Sequence, residues 1–242
     1  MAATDAGRRL TEAHRLAQAR LGAQTVSQML SVWPVLDPSD LTGSAPRWLS
    51  VAVPVVQRQA ERSAALAASY YSTFRTLEVG LTAPSFAVGA AAPPAVEQIV
   101  ASLSVTGPVA VSRRLRRGDV TARAMEVGRA MSARSAHRIA LSGGRTTIDR
   151  AIQSDPQALG YARVTSGSAC AFCAMLASRG PVYDKSSVRF EAHDGCSCGH
   201  EAVFSKDQAW PSGAERYREV WDEATRGLSG SDALNAFRRA LS

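Results

Sequence analysis

The four cysteines of this 242-residue sequence occur in two short pieces, CAFC at 170–173 and HDGCSC at 193–198. Each piece brings two thiols close together, and the second piece also begins with a histidine. Cysteine and histidine side chains in two such pieces are typical of structural zinc, which takes four ligands from two turns of the chain. The pattern therefore predicts a metal site. Its candidate ligands are Cys170, Cys173, His193, Cys196 and Cys198.

The spacing leaves the chemistry of these side chains open. The second piece carries C-x-C rather than C-x-x-C, and five candidates, or six with His200, compete for the four places around one zinc ion. Two disulfides between the CAFC and HDGCSC cysteines are an alternative, and thiols without any ligand are a third interpretation. The N-terminal residues include charged side chains and no continuous apolar signal segment, so we expect a protein that stays in the cytoplasm, where thiols remain reduced. This expectation favours the metal site.

A catalytic role would need further groups around the thiols. Zinc deaminases carry H-x-E followed by P-C-x-x-C, whereas here Glu201 follows His200 directly and no proline precedes Cys170. A cysteine nucleophile needs a histidine base close in space, and His193 could serve. The G-x-S-x-G elbow of serine hydrolases does not occur in the sequence. We therefore assign no catalytic residue, and a protease is the enzyme class that stays open.

The formal net charge of +7 is concentrated in one segment of the chain. Residues 107–150 hold ten arginines and three acidic residues, a difference that accounts for the whole excess. Such a segment is typical of a surface that binds nucleic acid or an acidic protein. A solvated helix face is the other interpretation, because no aromatic side chains lie between these arginines to stack on bases. The arginines that cluster most closely are Arg113, Arg114, Arg116 and Arg117.

The elements that must position these residues can be predicted from the apolar pattern. Residues 1–144 are expected to form a mainly helical region, because apolar side chains recur every three or four residues near 10–21 and again near 49–74. Between these two helices, Pro34 and the TGSAP stretch at 42–46 are predicted to break the helical pattern.

The second part of this region is predicted to contain a linker and two more helices. Residues 81–96 are rich in Pro, Gly and Ala, which is typical of a linker. Helical patterns return at 95–103 and at about 109–141, and SGGR at 142–145 is expected to end the last of them.

Beyond residue 144 the pattern changes. Short β-like pieces alternate with turn residues across 145–205, which predicts a small module containing the cysteines, and 206–242 returns to helical periodicity. The predicted fold class is therefore α+β: an elongated, mainly helical N-terminal region, a small cysteine-stabilised α+β module and C-terminal helices. No apolar run approaches 18 residues, so we expect no membrane partner.

The order of residues in the module resembles a known family. GYARVTSGSACAFCAMLASRGPVYDKSSVRFEAHDGCSCGHEAVF, residues 160–204, contains an aromatic-Arg-Val strand, C-x-F-C-x-M-L, an Arg-Gly turn, Val-Tyr and H-x-x-C-x-C in that order. This order resembles the minor head proteins of tailed bacteriophages, the phage Mu protein F-like (MuF) family. It looks especially like the versions found in phages of actinobacteria, which are often labelled capsid maturation proteases. The resemblance covers roughly residues 145–205.

The resemblance implies a head morphogenesis protein that takes part in virion assembly. Such a protein would lie inside the capsid or at the head–portal region, and in the host cytoplasm during assembly. Its partners would be the portal protein, the major capsid protein or both, with packaged DNA as a further partner of the arginine-rich segment. The family's cysteine and histidine motif would correspond to the five candidate ligands. The alternative function is a capsid maturation protease that processes scaffold or capsid protein, although no established protease constellation maps onto these residues.

Overall fold

The computed structural model describes residues 4–165, 169–207, 210–211 and 213–241. Within these ranges the chain forms eight α-helices and one three-stranded antiparallel sheet, so the predicted α+β class with mainly helical regions is confirmed. The helices are α1 (Asp5–Val32), α2 (Leu41–Val79), α3 (Val96–Thr106), α4 (Pro108–Arg116), α5 (Thr121–Ser154), α6 (Ala171–Ala177), α7 (Ala214–Ala224) and α8 (Gly230–Ala240). The strands are β1 (Gly160–Val164), β2 (Tyr183–Asp184) and β3 (Gly199–Val203).

Three long helices, α1, α2 and α5, pack against one another, and the shorter α3 and α4 pack on α5. Large apolar side chains fill the space between them, including Trp48, Ile99 and Leu103. The rings of Trp33 and Trp48 meet edge to face, with their centroids 5.5 Å apart. Burial of this apolar surface is the main stabilising contribution to a bundle of this kind.

The start of α2 differs from the prediction. TGSAP lies inside α2, which begins at Leu41, because the Asp40 side chain accepts a hydrogen bond from the N–H of Gly43 and caps the helix. The buried Ser44 hydroxyl donates to the carbonyl of Asp40 and strengthens the same turn. The prediction of a break at 42–46 was therefore wrong, since local capping decides the helix start before the proline at position 46 is reached.

The SGGR stretch also differs from the prediction, because α5 runs through it without a break to Ser154. A side chain on Gly143 would collide with the carbonyl oxygen of Ala60 in α2, and one on Gly144 would lie 2.7 Å from the Ser63 hydroxyl. The two glycines therefore allow α2 and α5 to approach closely, and they do not end the helix. The helix crosses the predicted boundary at 144/145, while the division of the chain into three regions stays a prediction.

The irregular segment between α2 and α3 packs against α2 and α5. Phe86 packs near the ring of Tyr71, and the guanidinium of Arg75 lies 5.6 Å from the centre of the Phe86 ring. The N–H of Ala91 donates to the hydroxyl of Thr147 in α5.

The sheet has the order β2-β1-β3, with β1 antiparallel to both neighbours. Its apolar side chains, among them Tyr161 and Ala202, share one buried cluster with Phe74 of α2 and Ile152 of α5. In the register of β1 and β3, Arg163 lies opposite His200. The sheet is thus fixed to the C-terminal ends of the two longest helices.

The short helix α6, which contains Cys173, packs against the C-terminal helices. Its Ala174 and Ala177 pack against Tyr217 of α7 and Phe237 of α8, and the rings of Trp221 and Phe237 have centroids 5.0 Å apart. Among the helices that the structure describes, none combines the length and the apolar character needed to cross a membrane.

Candidate metal centre

The CAFC piece forms the beginning of α6. Cys170 is the N-cap residue, and its sulfur accepts the N–H of Cys173 at 3.5 Å. This local hydrogen bond folds the two thiols toward one another. Cys196 and Cys198 lie in the loop that leads into β3, and His193 precedes them in the same loop. The helix start and the loop therefore present their sulfur atoms to the same space.

The distances bring the five candidate side chains close together, and their role as metal ligands stays a prediction. Cys170 Sγ lies 3.1 Å from His193 Nε2, and Cys173 Sγ lies 3.6 Å from Cys196 Sγ. Two groups of three have all ligand atoms within 4.8 Å of one another, and Cys173 belongs to both. The groups are Cys170–Cys173–His193 and Cys173–Cys196–Cys198.

These separations suit a metal ion better than a disulfide. With zinc–sulfur bonds of about 2.3 Å, two sulfurs of a tetrahedral site lie about 3.8 Å apart, close to the 3.6 Å between Cys173 and Cys196. A disulfide would bring the sulfurs to about 2 Å. All four cysteines are free thiols in the structure. Each of the two groups of three side chains could hold a metal ion.

The electrostatics of the buried thiols favour a cation among them. Hydrogen bonds with Cys173 and Cys198 hold the pKa of Cys196 far below its usual value, while the contacts of Cys173 with Cys196 and Cys198 raise the pKa of Cys173. Thiolates this close together repel one another, so their proximity opposes the ionisation of all three sulfurs at once. A divalent cation would allow all of them to be thiolates, because the metal replaces the proton as the positive partner.

Arginines of α5 hold the loop that carries the second pair of cysteines. Arg138 Nε donates to the Asp194 carboxylate at 2.6 Å, and Arg134 Nη2 donates to the Asp194 carbonyl. The N–H of Gly195, in turn, donates to the carbonyl of Arg134. The sequence pattern missed this role, since it grouped these arginines with the rest of the basic segment.

Two further arginines lie beside the cluster and are buried. Arg145 donates to the carbonyls of Cys196 and Cys198, at 2.5 and 2.9 Å from Nη2. Arg163, on β1, directs Nη1 at Cys173 Sγ, 3.7 Å away. The ring of Phe190 packs against both guanidinium groups, at 5.0 Å from that of Arg145 and 4.0 Å from that of Arg163. The aromatic-Arg-Val strand of the resemblance includes Arg163, but no sequence pattern placed Arg163 or Phe190 beside the cysteines.

The sixth candidate, His200, makes its contacts outside the two groups of possible ligands. Its Nε2 lies 2.8 Å from the Asp149 carboxylate, and its ring stacks on Phe190 with 4.9 Å between the centroids. The groups of possible ligands formed by the described residues do not include it. His200 supports the wall of the site through Phe190.

Cys170 and His193 form the most accessible part of the site. Burial would raise the pKa of Cys170, but the N–H of Cys173 and the ring of His193 outweigh burial and lower it. The carbonyl of Asp194 and the Cys170 sulfur raise the pKa of His193. An exposed thiol with a lowered pKa beside a histidine is also the arrangement that a thiol nucleophile requires. The geometry of this pair therefore suits either metal binding or catalysis.

Comparison with known proteins adds one finding. A family model described as VG15 protein matches residues 5–224. The match covers all five candidate ligands, the N-terminal helices and α7, and it ends before α8. Neither a comparison with curated proteins nor one with solved structures gives a match.

Proposed function

The chain belongs to the VG15 protein family, a family of viral proteins, and from this we propose that it is a structural assembly component of a tailed-bacteriophage head. Within that class we assign it to minor capsid proteins of the phage Mu protein F-like type. The observation that supports a structural role is the clustering of Cys170, Cys173, His193, Cys196 and Cys198 in two overlapping groups of three, with three of the sulfurs buried. Structural zinc sites are closed by protein ligands, whereas catalytic ones keep a place for water.

Zinc, bound by four of these five side chains, would clamp the loop before β3 onto the start of α6. The loop is already tied to α5 through Asp194, Cys196 and Cys198, so the ion would join α5, α6 and β3. Structural zinc adds directly to folding free energy, because the unfolded chain has no preformed site. The clamp would keep the module rigid during assembly.

We expect the protein partners to be the portal protein, the major capsid protein or both, inside the head. The test is to express the chain with portal, scaffold and major capsid proteins and to purify the assembled particles. Our proposal expects the chain in particles that contain portal, with every other protein at its full length. Particles that assemble normally and lack the chain would contradict the proposal.

A capsid maturation protease is the second candidate, and the contact between Cys170 and His193 favours it. We expect no processing of scaffold or capsid protein, either by the parent chain or by a Cys170→Ser variant, because the pair serves the metal site. The measurement is the mass of each co-expressed protein, with cultures that lack the chain as the control. Cleavage by the parent, lost in a Cys170→Ser variant that keeps its circular dichroism, would establish the protease and overturn the structural role.

We further propose that the arginines around the end of α4 contact packaged DNA. Arg113, Arg116 and Arg117 are exposed, whereas Arg114 lies 3.2 Å from Asp119. If these arginines neutralise phosphates, replacement of all four by alanine should reduce the salt dependence of duplex binding by about 3 to 4 in log–log slope. The measurement is duplex affinity across a series of salt concentrations.

The control for this prediction replaces four exposed arginines on or beside the C-terminal helices, Arg216, Arg226, Arg238 and Arg239. The control should keep the slope of the parent, because these side chains lie on other elements. An equal loss of slope in both variants, or a parent that does not bind duplex DNA, would contradict a specific role for the arginines around α4.

A further inference from the structure

Two guanidinium groups beside the cysteine cluster are buried, and neither has a carboxylate partner among the described residues. Arg145 is 7% exposed and Arg163 is 5% exposed. The ion pairs of the described residues include neither of them. A buried arginine is usually paired with a carboxylate, as Arg75 is, whose guanidinium lies 2.8 Å from the carboxylate of Asp155. Some other negative charge must balance Arg145 and Arg163.

The groups around these two arginines are mostly neutral. Arg145 donates to two cysteine carbonyls, and its Nη1 has no hydrogen-bond partner in the part of the chain that the structure describes. Arg163 donates to the Glu191 carbonyl and to Cys173 Sγ. The Asp149 carboxylate accepts the N–H of Phe190 and lies 2.8 Å from His200 Nε2, and the ion pairs of the described residues do not join it to either arginine. The sulfurs are therefore the available source of negative charge.

A metal–thiolate centre would supply negative charge at this place. A zinc ion with four thiolates carries a net charge of −2, and one with three thiolates and a neutral imidazole carries −1. The two guanidinium groups carry +2. We propose that Arg145 and Arg163 are the counter-charges of an anionic metal–thiolate centre, an inference that rests on the proposed zinc site. Phe190 packs on both guanidinium groups and screens them from water, which strengthens the attraction.

The test compares zinc affinity in variants of the full chain. Arg163→Met keeps much of the side-chain volume and removes the charge, so we expect zinc binding to weaken by about 10- to 100-fold, the usual effect of losing a group that supports metal ligands. Arg163→Lys keeps the charge and should recover most of the affinity. Arg150→Met, at an exposed position on α5, is the control and should bind zinc like the parent. Affinity is measured by competition with a chelator, on samples whose circular dichroism matches the parent.

The outcomes separate this inference from the zinc site itself. Arg163→Met with parental affinity would overturn the role of counter-charge. A lysine variant as weak as the methionine variant would overturn it too, because geometry rather than charge would then decide. A parent chain that binds no zinc would instead overturn the metal site on which the inference rests.

Discussion

Replacement of Cys173 by serine is expected to abolish zinc binding and to loosen the chain across residues 169–207. Cys173 belongs to both groups of possible ligands and is 1% exposed, so its replacement leaves neither group complete. A serine hydroxyl is a poor substitute for a thiolate as a zinc ligand. Structural zinc in small domains binds with about 10–16 kcal/mol of apparent free energy at pH 7, which is comparable to the total stability of a typical domain.

The loss should be local, because α1, α2 and α5 have a core of their own. Limited proteolysis with mass spectrometry should show new cleavage within 169–207, while circular dichroism keeps most of its helical signal. The parent chain treated with a strong chelator serves as the control and should give the same cleavage pattern. A Cys173→Ser variant as protease-resistant as the parent would show that the cysteines do not stabilise the module.

Asp155→Ala is expected to cause the largest loss of stability outside the cluster. The Asp155 side chain is fully buried at the end of α5, where it accepts hydrogen bonds from Arg75 and Tyr71 of α2 and from the N–H of Gln157. The alanine would leave the buried guanidinium of Arg75 without its counter-charge. Removal of one partner of a buried ion pair costs about 3–5 kcal/mol, and we expect a loss of this size in the free energy of unfolding.

The matched control for Asp155 is an exposed ion pair on the same helix. Arg123 and Glu126 are 59% and 57% exposed in their side chains, so Glu126→Ala should cost less than about 1 kcal/mol. Urea unfolding of the two variants and the parent gives both values. Equal losses in the two variants would mean that the buried pair does not tie α2 to the end of α5.

Much of the site was predictable from the sequence, because ligand spacing is a local property. The two short pieces predict that Cys170, Cys173, His193, Cys196 and Cys198 lie close together, and the structure places them in two overlapping groups of three. The sequence cannot show which arginines serve the site. Arg145 and Arg163 are recognised only when α5 and β1 are placed around the loop, since both contacts join distant parts of the chain.

The two errors in the helix predictions have different physical origins. Glycine ends a helix in many proteins. Here Gly143 faces Ala60, a residue 83 positions earlier that no local pattern connects to it. Tertiary contact therefore decided between a helix end and a close helix approach. At TGSAP the deciding contact was local, the cap from Asp40, and the expectation of a break gave the proline too much weight.

The central claim is that the cysteines and His193 form a structural metal site, and the zinc content of the purified full chain tests it most directly. Native mass spectrometry, combined with elemental analysis of protein prepared without added metal, gives the number of ions per chain and the redox state of the thiols. The account predicts one zinc ion per chain, four reduced cysteines and no zinc in the Cys173→Ser variant. A metal-free parent chain with a stable fold, or two disulfides among the four cysteines, would contradict it.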